Sequence, residues 1–197
     1  MMRKFLMDNL RAYRLHIFDK TKIRVLMDIC KLVEEADKLG NKLILAGNGA
    51  SAAIASHCAV DFTKQANVRA VCFNEASLIT CFSNDYGYDM WIVEALKHYA
   101  DPGDVVILIS SSGRSPNVVN AAKYARENNL KVVSFTGFDS DNPLRKLSDI
   151  SLWIDSHVYN IVECVHMIFL TMVIDCISER KSALMGDSAL AESVAVM

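Results

Sequence analysis

Residues 105–119 read VVILISSSGRSPNVV, and this stretch decides the predicted fold. It opens with an apolar run of strand length, and a Ser-rich loop follows directly. Ser115 is a favourable helix N-cap residue and Pro116 suits the first helical turn, so a helix should begin there. A buried strand that passes through a short loop into a helix is the repeating unit of a parallel α/β sheet.

The same alternation extends over most of the chain. Four more apolar runs have strand length, and helical stretches separate most of them. These runs are LILA at 43–46, VRAVCF at 68–73, KVVSFTG at 131–137 and ISLWI at 150–154. The pattern predicts an α/β fold, with one doubly wound domain over residues 41–181 and a central parallel sheet flanked by helices.

Helical segments flank this domain at both ends. Residues 3–38 carry apolar side chains at helical spacing and form either a helical hairpin or one bent helix, which ends near Gly40. This N-terminal extension (1–40) is expected to pack on the domain and in an oligomer. Residues 159–179 are apolar nearly all round, which is typical of a long buried helix. A weakly ordered tail is predicted for 182–197.

The composition excludes several classes of protein. The chain has 197 residues, of which 52% are hydrophobic and 22% charged, with a net charge of -2, so it is neither a basic nucleic-acid binder nor disordered. Its longest apolar run, 164–174, is interrupted by His166 and lies between Glu163 and Asp175, whereas a membrane span needs about 20 apolar residues. Six cysteines without a C-x-x-C pair fit small buried side chains in a reducing compartment. We therefore expect a cytoplasmic protein without a membrane segment.

The loop after the 105–109 run has the features of an anion site. A helix that begins at 115–116 directs its free amides and the positive end of its dipole into the loop. Hydroxyl groups add further donors around that point, from Ser110, Ser111, Ser112 and Ser115. We interpret the loop as a binding site for a small phosphate ester. A solvated Ser-rich turn is the alternative.

The loop after the 43–46 run is more ambiguous. Gly47, Gly49 and Ala52 match G-x-G-x-x-A, the fingerprint of dinucleotide-binding folds. That fingerprint also needs an acidic residue about 20 positions further on, and here the second strand ends later, at Glu75. Dinucleotide binding also leaves the Ser-rich loop unused. It is therefore a minor alternative, and no nucleotide cofactor is predicted.

Two pairs of imidazole and carboxylate groups lie on predicted helices. His57 and Asp61 are four residues apart, and Glu163 and His166 are three apart, so each pair shares a helix face. If the pairs converge, they supply either a mixed N/O metal site or a general base and a general acid. The alternative is that each histidine is an ordinary surface or core group.

Together these motifs resemble the SIS (sugar isomerase) domain family over about residues 40–180. The matching pieces are GNGASA at 47–52, His57 with an acid four residues on, NDYGYD at 84–89, ISSSGRS at 109–115 and E-x-x-H at 163–166. Within that family the chain is most similar to the phosphoheptose isomerases, which act on sedoheptulose 7-phosphate. The resemblance implies aldose–ketose isomerisation through an enediol, for heptose and surface-polysaccharide (lipopolysaccharide or capsule) biosynthesis.

The resemblance also implies roles for individual residues. Phosphosugar binding falls to Asn48, Gly49, Ser51, Asn84, Asp85, Ser110, Ser111, Ser112 and Ser115. The implied catalytic residues are Asp61, Glu163 and His166. Zinc, where the enzyme uses it, is implied to bind His57, Asp61, Glu163 and His166. A homotetramer with sites between its subunits is also implied, with no nucleic-acid partner.

The chain departs from the family pattern at three positions. The family glutamate is Asp61, which is one methylene shorter, a glutamine corresponds to Glu163, and the distal histidine falls on Thr171. A displacement of about 1 Å in a catalytic group has large effects on rate. Two functions therefore stay open. One is an isomerase. The other is a non-catalytic SIS module that binds a phosphosugar or a protein partner, as the replication-initiator-associating members do.

Overall fold

The computed structural model describes the backbone of residues 1–195 and the side chains of residues 1–184. Helices and strands alternate along these residues. The helices are α1 (Met2–Ile17), α2 (Ile23–Lys38), α3 (Ala50–Lys64), α4 (Ala76–Tyr86), α5 (Trp91–Tyr99), α6 (Pro116–Glu127), α7 (Pro143–Leu147) and α8 (Tyr159–Ala195), with a 3-10 helix at Lys20–Lys22. The strands are β1 (Leu43–Gly47), β2 (Ala70–Cys72), β3 (Val105–Ser110), β4 (Lys131–Thr136) and β5 (Ile150–Trp153).

The five strands form one parallel sheet in the order β2-β1-β3-β4-β5. Every strand predicted from an apolar run is present, and the doubly wound α/β prediction is confirmed. β1 pairs with β2 on one side and with β3 on the other, so the winding of the sheet reverses between β1 and β3. Ligands bind such sheets beyond the carboxyl ends of the strands at this reversal point. Both loops singled out in the sequence begin there.

Helices cover both faces of the sheet, because successive strand residues point to opposite sides. Leu43 and Leu45 of β1 pack in a core with α2, α3 and α8. Ile44 and Ala46 pack in a second core, with α5 and α6. All four side chains are fully buried. The central strands read as continuous apolar runs for this reason.

The N-terminal segment forms two separate helices. The break between them contains a short 3-10 turn, which Asp19 caps by accepting a hydrogen bond from the Thr21 backbone N–H (3.0 Å). α1 and α2 both contact α8. Whereas α2 buries an apolar face, no residue of α1 is fully buried in this chain. α1 therefore leaves apolar side chains uncovered.

α8 is longer than the predicted helix at 159–179, since it continues to Ala195. Its stretch Tyr159–Leu184 has a mean hydropathy of 1.9 and is long and apolar enough to cross a membrane by length and composition alone. The apolar part of this helix is therefore longer than the run at 164–174 on which the sequence-based prediction relied. Half of its most apolar part is buried inside the domain, and it packs against α2 and α3. Such burial is typical of a core helix, which can be as long and apolar as a membrane-spanning one.

The weakly ordered tail predicted for 182–197 lies mostly outside the described side chains, and its last two residues lie outside the described backbone. The backbone as far as Ala195 belongs to α8. Weak order of this tail stays a prediction, as do the domain limits at residues 40 and 181.

All six cysteines are free thiols. Cys30 and Cys58 are buried, as predicted, but Cys81, Cys164 and Cys176 are exposed in this chain. The prediction of buried cysteines is wrong for these three, because the spacing of a scattered residue does not show which face of a helix it occupies.

Candidate functional site

A cavity of about 110 Å³ lies at the carboxyl ends of β1 and β3, where the winding of the sheet reverses. Both predicted loops contribute to its wall, and the first turns of α8 add a third side. The lining residues are Asn48, Ser51, Ile109, Ser110, Ser111, Ser112, Ser115, Tyr159 and Glu163. Of the nine predicted phosphosugar-binding residues, six are brought together here.

The serine loop (residues 110–115) makes a tight turn between β3 and α6. The Gly113 N–H donates to the Ser110 carbonyl at 3.0 Å, and the Arg114 N–H donates to the Ser112 hydroxyl at 3.2 Å. These two hydrogen bonds hold the loop in a tight turn, and its four serine side chains line one wall of the cavity.

Free hydrogen-bonding capacity is concentrated on the cavity side of this loop. Pro116 is the first residue of α6 and Ser115 precedes it in an extended conformation, so the helix begins where the sequence predicts. The hydroxyls of Ser110 and Ser115 lie 3.5 Å apart. The Ser111 hydroxyl is buried, and no side chain or backbone group of the described residues forms a hydrogen bond with it. A buried unpaired hydroxyl is costly, and an anionic ligand oxygen in the cavity would satisfy it.

Arg114, the cation of the serine loop, is held on the outer surface. Its Nη2 lies 3.2 Å from Asp139 Oδ2, and His157 Nε2 lies 3.2 Å from Asp139 Oδ1. Hydrogen bonds from His157 and Arg114 lower the pKa of Asp139. Arg114 does not line the cavity. A phosphate bound there would meet hydroxyls and amides instead of this guanidinium.

The first turn of α3 packs directly against the end of β1, which is possible because Gly47 has no side chain. A Cβ atom at Gly47 would lie 2.8 Å from the backbone of Ser51. Asn74 holds Gly47 from the other side, accepting from its N–H (3.1 Å) and donating to its carbonyl (2.8 Å). Asn48 and Ser51 line the cavity, whereas Gly49 caps α3 and does not line it.

Glu163 is the one carboxylate among the residues that line the cavity. It is partly buried, and burial raises the pKa of its carboxyl group. A carboxyl group with a raised pKa in a polar cleft is a candidate for proton transfer. The position of Glu163 is therefore compatible with the catalytic role expected from the sequence.

Tyr159 also lines the cavity, and sequence reasoning missed it. Its ring packs edge-to-face with the ring of Phe138, with the ring centroids 4.8 Å apart. Tyr159 lies four residues before Glu163, and residues at this spacing share a helix face. That spacing is the signal that could have identified it.

His166 lies in the core and not in the wall of the cavity. Its side chain is fully buried, and its Nε2 donates a hydrogen bond to the Thr136 carbonyl at 3.0 Å. Burial lowers the pKa of its imidazole to about 4, although the bond to Thr136 opposes this shift. The ring is therefore neutral at neutral pH. Its Nδ1 is buried and has no hydrogen-bond partner within residues 1–184.

The predicted metal ligands do not converge. His57 Nε2 and Asp61 Oδ2 are 3.1 Å apart on α3, and neither residue lines the cavity. Among the side chains of residues 1–184, no three His, Cys, Asp or Glu residues are grouped closely enough to hold a metal ion. The set His57, Asp61, Glu163 and His166 therefore does not fit one zinc site within a single chain.

Asn84 and Asp85 are exposed at the end of α4 and bond to each other, with Asn84 Nδ2 donating to Asp85 Oδ1 at 2.9 Å. Neither residue lines the cavity. The same motif reaches the site through Tyr88, whose hydroxyl donates to Asn48 Oδ1 at 3.0 Å. Sequence reasoning missed this contact, because nothing in the spacing joins residues 40 positions apart.

Thr171 occupies the position of the distal family histidine and bonds only within α8. Its hydroxyl donates to the carbonyls of Met167 (3.0 Å) and Ile168 (2.9 Å). Thr171 does not line the cavity, whereas Glu163 does. Glu163 therefore remains the candidate for proton transfer there.

A larger hollow of about 340 Å³ lies along α3 and β2. Its walls include the apolar side chains of Ala59, Val60 and Ala70. Ser56 and Thr63 also line it, but their hydroxyls already contact Cys72 and the carbonyls of Ala59 and Ala70. Polar groups that meet at one point are a better mark of a binding site than volume, so we place the site at the serine loop.

Comparison with known proteins identifies a family whose sequence model matches this chain. The model of the SIS domain family matches residues 8–137. The chain is similar to the probable phosphoheptose isomerase of Thermoplasma acidophilum, at 34% identity over 84% of this chain and 97% of the relative. It is also similar to the phosphoheptose isomerase of Trichlorobacter lovleyi, at 32% identity over 90% of this chain and 94% of the relative.

Solved structures have the same fold. A phosphoheptose isomerase from Neisseria gonorrhoeae superposes with a TM-score of 0.83 at 27% identity, covering 90% of this chain and 97% of that one. One from Francisella tularensis superposes with a TM-score of 0.82 at 21% identity, covering 90% and 96%. At the latter identity the likeness concerns the fold alone.

Proposed function

The chain belongs to the SIS domain family, and we infer from this membership and from the cavity that it is a phosphosugar isomerase of the phosphoheptose isomerase type. The substrate we propose is sedoheptulose 7-phosphate, a seven-carbon ketose phosphate that is converted into the aldose. One observation carries the proposal, namely that the serine loop, Asn48 and Glu163 meet in a single cavity. The non-catalytic alternative is not favoured, because the similar curated proteins carry the names of isomerases.

The serine loop is suited to the phosphate end of such a substrate. The hydroxyls of the loop and the first turn of α6 present donors to one point, and helix N-termini favour anions. The buried Ser111 hydroxyl has no partner among the residues that the structure describes, so a phosphate oxygen would supply its missing hydrogen bond.

Aldose–ketose isomerisation moves a proton between two adjacent carbons. A base removes the proton from the carbon beside the carbonyl. The C–H electron pair then forms the C=C bond of an enediolate, and a carbonyl electron pair moves onto the oxygen. The base returns the proton to the former carbonyl carbon, and proton exchange between the two oxygens completes the conversion. We assign the base to Glu163, because it is the carboxylate in the cavity wall and its pKa is raised.

The proposal includes a homo-oligomer, as the family resemblance implies. The cavity measures about 110 Å³, whereas pockets that enclose a small molecule measure about 300–1,000 Å³. A single chain therefore encloses the ligand only in part. His57 and Asp61 lie outside this cavity, where they are available to complete the site of a neighbouring subunit.

Zinc, the cytoplasmic location and the supply of heptose for surface polysaccharides stay predictions from the family resemblance. No step above passes through zinc, since the four predicted ligands do not fit one site in the single chain. The metal content of the purified protein, measured before and after chelation, tests the zinc prediction.

The function is tested by incubating the purified protein with sedoheptulose 7-phosphate and following the aldose product by NMR. We expect turnover, and we expect Ser111→Ala to weaken the binding of the phosphate ester. Ser77→Ala, which changes an exposed serine on α4, is the matched control. Absence of turnover with several ketose phosphates, both with and without added zinc, would overturn the proposal.

A further inference from the structure

Asn48 and Asn117 form a reciprocal pair of side-chain amides behind the cavity. Asn48 Nδ2 donates to Asn117 Oδ1 at 3.0 Å, and Asn117 Nδ2 donates back to Asn48 Oδ1 at 2.9 Å. Asn117 is fully buried in the first turn of α6, whereas Asn48 lies in the β1–α3 loop and lines the cavity. The pair therefore ties the two loops of the site together.

Tyr88 adds a second donor to the same oxygen. Its hydroxyl donates to Asn48 Oδ1 at 3.0 Å, from the segment between α4 and α5. The Tyr88 side chain is half exposed, so this contact does not belong to the core. Asn48 is thus held by two separate segments of the chain.

After its bonds to Asn117 and Tyr88, the side-chain amide of Asn48 has one N–H left unbonded within the described residues. A side-chain amide has two acceptor sites on its oxygen and two N–H donors. Both acceptor sites of Oδ1 are taken, by Asn117 and Tyr88, and one N–H is given to Asn117. Within the described part of the chain, the remaining N–H is the one group of the Asn48 side chain left free to bind a ligand.

We propose that Asn117 and Tyr88 are positioning residues that fix Asn48 as a hydrogen-bond donor to the oxygen on which charge develops during isomerisation. The inference rests on the proposed function, because the enediolate is its intermediate. A donor fixed in advance toward a developing oxyanion stabilises the transition state without reorganisation. An amide free to rotate would present its oxygen to that oxyanion in part of its population.

Tyr88→Phe is the first test, because it removes one hydroxyl and leaves the half-exposed ring in place. We expect kcat to fall about tenfold with KM within about twofold, since small displacements of catalytic groups have large effects on rate. Tyr86→Phe is the matched control. Tyr86 is equally exposed, at 53% for both residues, and its hydroxyl makes no hydrogen bond within the described part of the chain.

Asn117→Asp tests the amide pair while keeping the shape of the side chain. The carboxylate still accepts from Asn48 but cannot donate to its Oδ1, so kcat should fall as it does for Tyr88→Phe. In an Asn48→Ala background both substitutions should lose their effect on kcat, because they act through Asn48. Effects that persist in that background would show a general structural role and overturn the proposal.

A binding measurement decides the inference independently of turnover. The probe is a phosphorylated sugar hydroxamate, a planar mimic of the enediolate, with inorganic phosphate as the reference ligand. Tyr88→Phe should weaken hydroxamate binding about tenfold and leave phosphate binding unchanged. Equal losses for both ligands, or behaviour identical to Tyr86→Phe, would overturn the inference. A wild-type protein that binds both ligands without any turnover would contradict the proposed function, while the hydroxamate comparison still tests the role of Tyr88.

Discussion

Glu163 and His166 lie within one turn of each other on α8, yet their environments shift their pKa values in opposite directions. Burial disfavours the charged form of any group. It therefore raises the pKa of the Glu163 carboxyl group and lowers that of the His166 imidazole to about 4. The sequence shows that the two residues are near each other on a helix. It does not show that one borders the cavity and the other the core.

Glu163→Gln tests the assignment of the base. We expect kcat/KM to fall by about 100-fold or more, the lower end of what acid–base groups contribute, with an affinity for inorganic phosphate no lower than that of the wild type. For the wild type, the acidic limb of the pH profile of kcat/KM should lie above about 4.3, the ordinary value for Glu. Steady-state kinetics as a function of pH provide both readouts.

The same variant has a characteristic effect on stability. A raised folded-state pKa means that the stabilisation by Glu163 is present at low pH and is lost as the pH rises through that pKa. At pH 7 the Gln variant should therefore melt no lower than the wild type. Glu179→Gln, an exposed change on the same helix, is the control. If Glu163→Gln kept the kcat/KM of the wild type, Glu163 would not be the base.

Because His166 is buried and its pKa is lowered, we expect the protein to lose stability in mild acid. Its pKa is about 4 in the folded protein and 6.5 as the ordinary value, so the unfolded chain binds more protons between these limits. Stability from this residue is therefore present above pH 6.5 and is lost as the pH falls toward 4, by roughly 3 kcal/mol. Urea unfolding over this pH range measures the loss.

His166→Gln should flatten this pH dependence, because Gln has no proton to gain and can still donate to the Thr136 carbonyl. His98→Gln, which changes an exposed histidine on α5, should leave it as it is. If the pH dependence is the same in wild type and His166→Gln, another group is responsible for it.

At the scale of elements, the serine loop depends on α7 as well as on its own strand and helix. Asn142 is fully buried, and its Oδ1 accepts a hydrogen bond from the Arg145 N–H at 2.9 Å, which caps α7. The same Oδ1 lies against Gly113, so closely that a Cβ at Gly113 would overlap it. Gly113 also has a φ of +61°, which side chains other than glycine rarely adopt.

Gly113→Ala should disturb the loop and the cap of α7 together. We expect a loss of about 2–3 kcal/mol in unfolding free energy and a clear loss of phosphate affinity. Gly40→Ala separates strain from overlap, because Gly40 has a φ of +77° but open space around it. That control should cost about 1 kcal/mol. Equal losses for the two variants in urea titrations would show that contact with Asn142 does not matter.

At the scale of the whole molecule, α1 is a helix whose apolar side chains stay exposed in a single chain. Phe5, Leu6 and Leu10 are 64%, 55% and 63% exposed, and no residue of the helix is fully buried. Contiguous apolar surface of this kind marks an interaction site. Part of the 52% of residues that are hydrophobic therefore lies on an uncovered helix face, which supports the proposed association of subunits.

Leu6→Glu combined with Leu10→Glu should shift the protein to a smaller species in light scattering coupled to size exclusion. Charges at these positions oppose burial of the α1 face in an interface. Lys4→Glu, on the opposite side of the helix at about 100° per residue, should leave the mass unchanged. A wild-type protein that is monomeric at micromolar concentration would contradict the proposed oligomer.

Most of the fold could be predicted from the sequence, because its signals are local. The apolar run of β3 indicates a strand, and Ser115 with Pro116 indicates the start of a helix. Gly47 and Gly49 indicate a loop after β1 in the same local way. Right-handed connections between parallel strands then leave few arrangements of the sheet. The phosphate-type loops followed from the same local signals.

The composition of the cavity was decided only by the tertiary structure. Helical spacing put His166 beside Glu163, but the rotation of α8 against the sheet sends His166 into the core and Glu163 to the cavity. Likewise, Tyr88 and Asn117 reach Asn48 across 40 and 69 positions of the chain. Local sequence determines which elements form. Which side chains meet is determined by the packing of elements that are distant in the sequence, because only packing fixes their relative rotation and depth.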